Sequence, residues 1–280
     1  EYDIIHLHSP RAAYYFILGN VFSRRTQFVW THHIFIGDAF SPRTFKGRLY
    51  LWGAKLLHKN VALNIAVSNY VKEMYQNSSF KGKFNMIYNG IEILKHTSVR
   101  KLNNPIRLGI VSRLEEFKGY SLLIEMIRKY ELPGFEFHIF NTGSMSDGVE
   151  KLSKAYPSVK YRGFVEDKDV MYEKFDVLLL LSRFEGFGYV TVEAVARGIP
   201  VIAYDTSLNR ELLSDYPDEG FFKKYSSESL KDTLEQLKDT DLYQTLLSAL
   251  EKIDLDRFDS CKNIHRLEDV YKGVLNENRN

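Results

Sequence analysis

The stretch LSRFEGFGYVTVEAVARGIPVIAYD, Leu181 to Asp205, carries two carboxylates, Glu185 and Glu193, with seven residues between them and Gly186-Phe187-Gly188 following the first. A carboxylate accepts two hydrogen bonds from adjacent hydroxyls, so such a pair suits a neutral sugar. The glycines let a backbone approach a ligand closely, and the free N–H groups of a following helix favour an anion. A plainer alternative is a helix start decorated with one acidic residue for its dipole plus a solvent-facing Glu. Upstream, IRLGIVSRLEEFKGYSLLIEMI places Arg113 at a strand end and Lys118 just before the next helix. Two cations on one sheet edge would clamp a diphosphate. The alternative there is a surface lysine and an ion pair from Arg113 to Glu115 or Glu116.

Short apolar runs alternate with helical patterns, which predicts parallel sheets with crossover helices. In the first third, strands are expected at YDIIHLHS, QFVWTHH, LNIAVS and FNMIYNG, with helices near Ala12–Phe22, Gly47–His58 and Asn69–Gln76. Polar Ser98–Pro105 reads as a linker. A second series follows: strands IRLGIVSR, FEFHIFN, VKYRGFV, DVLLLLS and PVIAYD, with helices Tyr120–Tyr130, Gly148–Ala155, Lys168–Phe175 and Tyr189–Arg197. DVLLLLS is a continuous apolar run, the mark of a buried parallel strand, and Gly198 with Pro200 closes the helix after it. The expected domains are 1–98, 99–258 and a terminal helix over 259–280 that packs back on the first. In a doubly wound sheet, ligands gather at the carboxyl ends of the strands.

A 44% hydrophobic content supports a sizeable core, and a single cysteine, Cys261, excludes an intramolecular disulfide framework. No apolar run approaches the roughly 20 residues that span a bilayer, so a soluble, cytoplasmic chain is expected. Residues 1–100 hold 13 Lys/Arg against 5 Asp/Glu, a basic third in a chain of net charge +2. That excess suits phosphates or an acidic lipid surface, or is simply a solvated face. The basic residues are scattered and no nucleic-acid signature accompanies them.

SRLEEFKG, FNTGS, VKYRGFV and DVLLLLSRFEGFGYVTVEAVARGIPVIA, in that order, resemble the group-4 family of retaining glycosyltransferases, with DIIHLHS, FVWTHH, NIAVSNYVKEMY and MIYNGIE resembling the later strands of its first domain. The resemblance implies an α/β GT-B fold, two Rossmann-like parallel-sheet domains facing across a cleft, the first incomplete. It implies transfer of a hexose from a nucleotide-diphosphate sugar to a glycan or lipid-linked acceptor, with no cofactor and no metal. On these residues, Arg113 and Lys118 would bind the diphosphate and stabilise the leaving group. Glu193 would hold the ribose, Glu185 and the backbone of Gly186, Phe187 and Gly188 the transferred sugar, and Tyr189 would be a further donor-binding residue. Gly163, Phe164 and Val165 would line the nucleobase. His33 matches a family histidine at the reaction centre, with His32 the alternative one position away.

Asn141 stands where the family often has Gly, and Ser112 likewise precedes Arg113. The family's opening strand and Gly-rich turn have no counterpart, so a chain lacking the start of its first domain is expected, with a partner chain or missing segment covering that domain. The alternatives are a non-catalytic subunit of a glycosyltransferase complex and a nucleotide-sugar epimerase or hydrolase. Asp239–Asp241 (DTD) and Asp254–Asp256 (DLD) lie in the helical tail and read as solvated charge. No His pair with a carboxylate base and no Gly-x-Ser-x-Gly elbow occurs. The aromatic and basic stretch after His33 is expected to meet the acceptor, at an anionic membrane face, or else to be a plain crossover.

Overall fold

Two parallel sheets carry the fold, and a computed structural model describes residues 2–19, 26–39, 44–93 and 101–277. The chain divides into two compact units. The first comprises Glu1–Glu92, Glu185–Phe187 and Asp256–Asn280, the second Ile93–Phe184 and Gly188–Leu255. The expected end of the first helix, at 20–22, and residues 98–100 of the expected linker lie outside the described residues.

The first unit runs β1 (Ile4–Leu7), α1 (Pro10–Gly19), β2 (Gln27–His32), α2 (Ile36–Ala39), α3 (Phe45–His58), β3 (Leu63–Ala66), α4 (Asn69–Asn77) and β4 (Phe84–Met86). Helix α1 starts earlier than its apolar pattern suggests. Ser9 Oγ accepts from the Ala12 N–H and Pro10 takes the first helical position, where a missing N–H costs nothing. The four strands are parallel in the order β1-β2-β3-β4. The order shows no reversal of direction, so the right-handed crossovers that parallel strands generally take put the connecting helices on one face. There Leu7, Phe28 and Trp30 pack against Ala13, Ile17 and Leu57 of α1 and α3.

The second unit runs β5 (Ile106–Val111), α5 (Tyr120–Lys129), β6 (Phe135–Phe140), α6 (Ser146–Ala155), β7 (Val159–Gly163), α7 (Lys168–Tyr172), β8 (Val177–Leu180), α8 (Tyr189–Ala196), β9 (Val201–Tyr204), α9 (Ser207–Leu212), β10 (Phe221–Phe222), α10 (Ser227–Gln236) and α11 (Thr240–Leu250). Its strand order is β10-β9-β8-β5-β6-β7. The direction of winding therefore reverses between β5 and β8, and this switch point is where a parallel sheet opens a crevice. Asp176, buried at the start of β8, is clasped by the Arg107 guanidinium at 2.7 Å and accepts from Asn103, so its charge is compensated. Helix α7 is shorter than expected: Phe175 leaves it to pack on Gly109, where any Cβ would lie 2.3 Å from the ring. Asp239 of the DTD triplet caps α11 by accepting from the Asp241 N–H, and Asp256 of DLD pairs with Lys262 at 2.6 Å.

The chain closes with α12 (Ser260–Glu277), which lies on the face of the first sheet that its own crossovers leave bare. Leu267, Val270, Tyr271 and Val274 pack there on Val29, Leu63 and Ile65.

Candidate functional site

The turns after β5 and β8 meet at the switch point of the second unit. Gly119 (φ 89°) ends the first turn, and a Cβ on it would lie 2.6 Å from the Leu181 carbonyl oxygen and 2.8 Å from the Tyr225 hydroxyl. Only glycine permits both that close approach and that left-handed backbone. Arg113 is exposed just past the end of β5, and Lys118 sits in the short 3-10 turn Glu116–Lys118 that leads into α5, its ammonium 5.3 Å from the Phe117 ring. The acidic neighbours are engaged elsewhere. Glu115 accepts from the Ser144 hydroxyl at 2.6 Å and Glu116 from Ser121 at 2.6 Å. The Ser144 hydrogen bond, with help from the charge of Arg113, holds the Glu115 carboxyl below its ordinary range. Arg183, which sequence reasoning passed over as a ligand group, adds a third cation: its guanidinium lies 4.9 Å from the Tyr225 ring and 5.8 Å from that of Phe184.

The next turns of the same sheet edge adjoin. Asn141 has φ 82°, which explains why a glycine would be equally at home there, and its N–H donates to the Gly163 carbonyl at 2.6 Å. Gly163 is itself left-handed (φ 65°), Phe164 after it is 71% exposed, and Val165 is half-buried. Gly188 (φ 84°) opens α8 with no side chain capping the helix, and Tyr189 beside it is exposed.

Glu193 is buried, where the plainer sequence reading had a solvent-facing residue. Its Oε1 accepts from Lys168 Nζ at 2.5 Å and its Oε2 from the Tyr172 hydroxyl at 2.8 Å, both from α7. Arg197, one turn after Glu193 and just past the end of α8, binds Asp169 at 2.7 Å and lies 4.7 Å from the Tyr172 ring, locking the two helices together. Burial, then the neighbouring Glu193 charge, raises the Tyr172 hydroxyl far above its ordinary pKa and keeps it a donor. Nothing in the spacing of Lys168 and Tyr172 announced them, since they reach Glu193 from a different helix.

His33 and Glu185 belong to the first unit, with Arg113, Lys118 and Glu193 in the second. His32 and His33 differ in packing. His32 is buried, hydrogen-bonded to Asn64 Oδ1 at 2.9 Å and stacked 4.8 Å from His58, and burial pushes its pKa down to about 3. His33 is exposed and meets His8, Nε2 to Nδ1, at 3.1 Å. His6 continues the cluster, bound to Thr31 and Tyr271, and a cavity of about 260 Å³ opens beside all three imidazoles, lined also by Asn89 and Asn263. Glu185 is half-buried. Gly186 is required for a reason other than ligand approach: a Cβ on it would fall 1.6 Å from the His33 carbonyl oxygen, and its own carbonyl accepts from Ser68. Phe187 is a core residue between Tyr88 and Phe258. Among the described residues no group of three or more His, Cys, Asp or Glu is arranged to hold a metal ion, and no helix is long and apolar enough to cross a membrane.

Two Rossmann-like parallel-sheet units, the second with a basic switch point, define the GT-B class of α/β proteins. Residues 94–250 match the family model described as glycosyl transferases group 1, and residues 1–93 that of glycosyltransferase family 4. The chain belongs to this glycosyltransferase family. It is 30% identical over 233 residues to an uncharacterized 41.2 kDa protein in the cps region of Klebsiella pneumoniae, covering 77% of this chain and 63% of that one. It is 28% identical over 212 residues to the O-antigen biosynthesis glycosyltransferase WclY of Escherichia coli, covering 70% of this chain and 57% of that one. The chain thus spans about three fifths of the length of these relatives. Among solved structures, Anabaena HepE in complex with UDP and glucose superimposes with a TM-score of 0.81 at 23% identity, over 97% of this chain and 78% of that one, a likeness of fold.

Proposed function

We propose that this chain takes part in moving a hexose, with retention of configuration and without a metal, from a nucleotide-diphosphate sugar to a glycan or lipid-linked acceptor of a surface polysaccharide. The observation that carries the reading is the switch-point crevice. Arg113 and Lys118 lie along the carboxyl end of β5, and Glu193 stands in the helix that follows the adjacent strand, β8. The difficult step of such a transfer is negative charge building on the departing phosphate. Fixed cations aimed at that oxygen stabilise the transition state without reorganising. Glu193 would hold ribose hydroxyls, the Phe164–Val165 loop the base, and Glu185 with the backbone of Gly186, Phe187 and Gly188 the sugar; Tyr189 would bind the donor and His33 would be the family's reaction-centre histidine. The biosynthetic names of relatives such as WclY, and the UDP and glucose held by HepE, support the same reading.

The acceptor side is read from α3. Phe45, Leu49, Trp52 and Leu56 form an exposed apolar stripe at helical spacing. Every charged residue of that helix, Lys46, Arg48 and Lys55, is basic, as is Lys59 beyond it. Such a face suits the anionic cytoplasmic surface of a membrane that carries the acceptor. Sedimentation with anionic liposomes should carry down the chain, and Trp52→Glu should release it. Equal binding to neutral vesicles would contradict the charge argument.

The donor reading is tested by a thermal-shift screen against UDP-, GDP- and ADP-sugars, since a ligand of the folded state raises its apparent stability. NMR of the product anomer then follows with acceptor present. One nucleotide series should stabilise the chain and the product should keep the donor's anomeric configuration. Free sugar or an epimer formed without acceptor would place the chain among the hydrolases or epimerases instead.

A further inference from the structure

Glu193 already has a partner on the side from which a nucleoside would come. Its side chain is 12% exposed, while that of Lys168 is 61% exposed. The two carboxylate oxygens are shared between unlike donors: Tyr172 holds Oε2 from the buried side, and Lys168 holds Oε1 from the solvent side. Tyr172 cannot leave, because its ring is packed on Phe175 at 5.5 Å and under the Arg197 guanidinium at 4.7 Å. Lys168 can. It is the first residue of α7, directly after the cap Asp167, so its backbone is fixed while its four-carbon stem swings into water at little cost.

From this geometry we infer that Lys168 is a built-in competitor of the donor's ribose: it neutralises Glu193 while the site is empty and is displaced when a ribose diol arrives. This rests on the donor-site reading above. The ammonium is a strong donor to a desolvated carboxylate, and two neutral hydroxyls replace it without adding charge. The exchange therefore discounts ribose affinity by the strength of a half-exposed ion pair. It spares the empty site an uncompensated buried carboxylate. Lys168 so acts as a positioning residue on Glu193, and the selectivity it governs is that between ribo- and 2′-deoxyribonucleotides.

The test is a ratio, which cancels the attraction of any lysine for the diphosphate. Dissociation constants are measured by calorimetry for UDP, GDP and ADP and for their 2′-deoxy forms, in the wild type, Lys168→Met, Glu193→Gln and the double variant. The preference for ribo over 2′-deoxy should rise about three- to tenfold in Lys168→Met, in keeping with the modest worth of partly exposed ion pairs. Lys168→Met should change nothing when added to Glu193→Gln. Raising the salt concentration should increase the wild-type preference and leave that of Lys168→Met flat. An unchanged or smaller preference in Lys168→Met overturns the inference while the donor reading stands, because Lys168 then contacts the ligand or nothing at all. Failure of the wild type to bind any of the six nucleotides removes the donor reading itself, and the inference with it.

Discussion

The two sheets solve the same burial problem in different ways. The second unit reverses its winding between β5 and β8, so its crossovers reach both faces and a crevice opens where they part. The first, in the order β1-β2-β3-β4, has no reversal. Its second face is covered by α12 from the far end of the chain, through Val274, Val270 and Leu267. Polar chemistry differs accordingly. In the second unit, Arg113, Lys118 and Arg183 stand on the turns at the sheet edge, while Glu136 and His138 pair within β6. In the first, imidazoles are built into the strands and helices themselves, and burial holds His6, His32 and His58 at pKa values of about 4, about 3 and about 2. A sheet with a switch point can gather cations at its edge; one without it holds its polar groups by packing, as His32 is held by Asn64 and His58.

The largest expected effect breaks the comparison on the second unit's side. Arg113→Ala or Lys118→Ala should lower kcat by about 10²–10³ with little change in thermal stability, as expected for removing one charge-stabilising donor. Steady-state kinetics and a melting curve check both halves, and a loss of activity matched by unfolding would make these residues structural.

Acid should act first on the other unit. A histidine whose folded pKa is depressed contributes stability that is intact above its unfolded pKa near 6.5 and is lost as pH falls toward the folded value. For His32, with a folded value of about 3, the loss at pH 5 is about 2 kcal/mol, 1.5 pH units below the unfolded pKa. Both tryptophans, Trp30 and Trp52, lie in the first unit, so their fluorescence in a denaturant titration reads that unit alone. Its midpoint should fall between pH 7 and pH 5, and a flat response would contradict the buried-imidazole account.

Gly186→Ala places a methyl where the His33 carbonyl stands, and should destabilise the first unit by about 1–3 kcal/mol, the usual cost of forced overpacking. The same tryptophan signal measures it, and an unshifted midpoint would mean that the turn moves aside freely. The smallest effect sharpens the second unit: Tyr172→Phe removes one donor from buried Glu193 and should cost about 1–2 kcal/mol of stability. Thermal unfolding compared with wild type decides it, and an equal or higher midpoint would show that Lys168 alone satisfies the carboxylate.

Much of the frame was legible because strands and crossover helices alternate with distinct periods. DVLLLLS could be little but a buried strand, and the glycine turn expected after it is present, ending on left-handed Gly188. What stayed hidden depends on contacts between distant residues. Tyr172 looks like any aromatic on a helix until α8 is packed beside it. His6 and His8 read as strand residues, and only the pairing of β1 with β2 brings them to Thr31 and His33. The Phe187 side chain, between two glycines, fills a core formed with Phe258, 71 positions later. β10 is two residues long and has no period to read.

The central claim is that a nucleoside diphosphate lies over the β5–β8 switch point. Hydrogen–deuterium exchange of the chain with and without UDP, GDP and ADP tests it most directly. Protection by one of these should concentrate in the turn from Arg113 to Gly119, in α7 around Lys168 and in the start of α8. Protection confined to other segments, or none with any of the three, would contradict it.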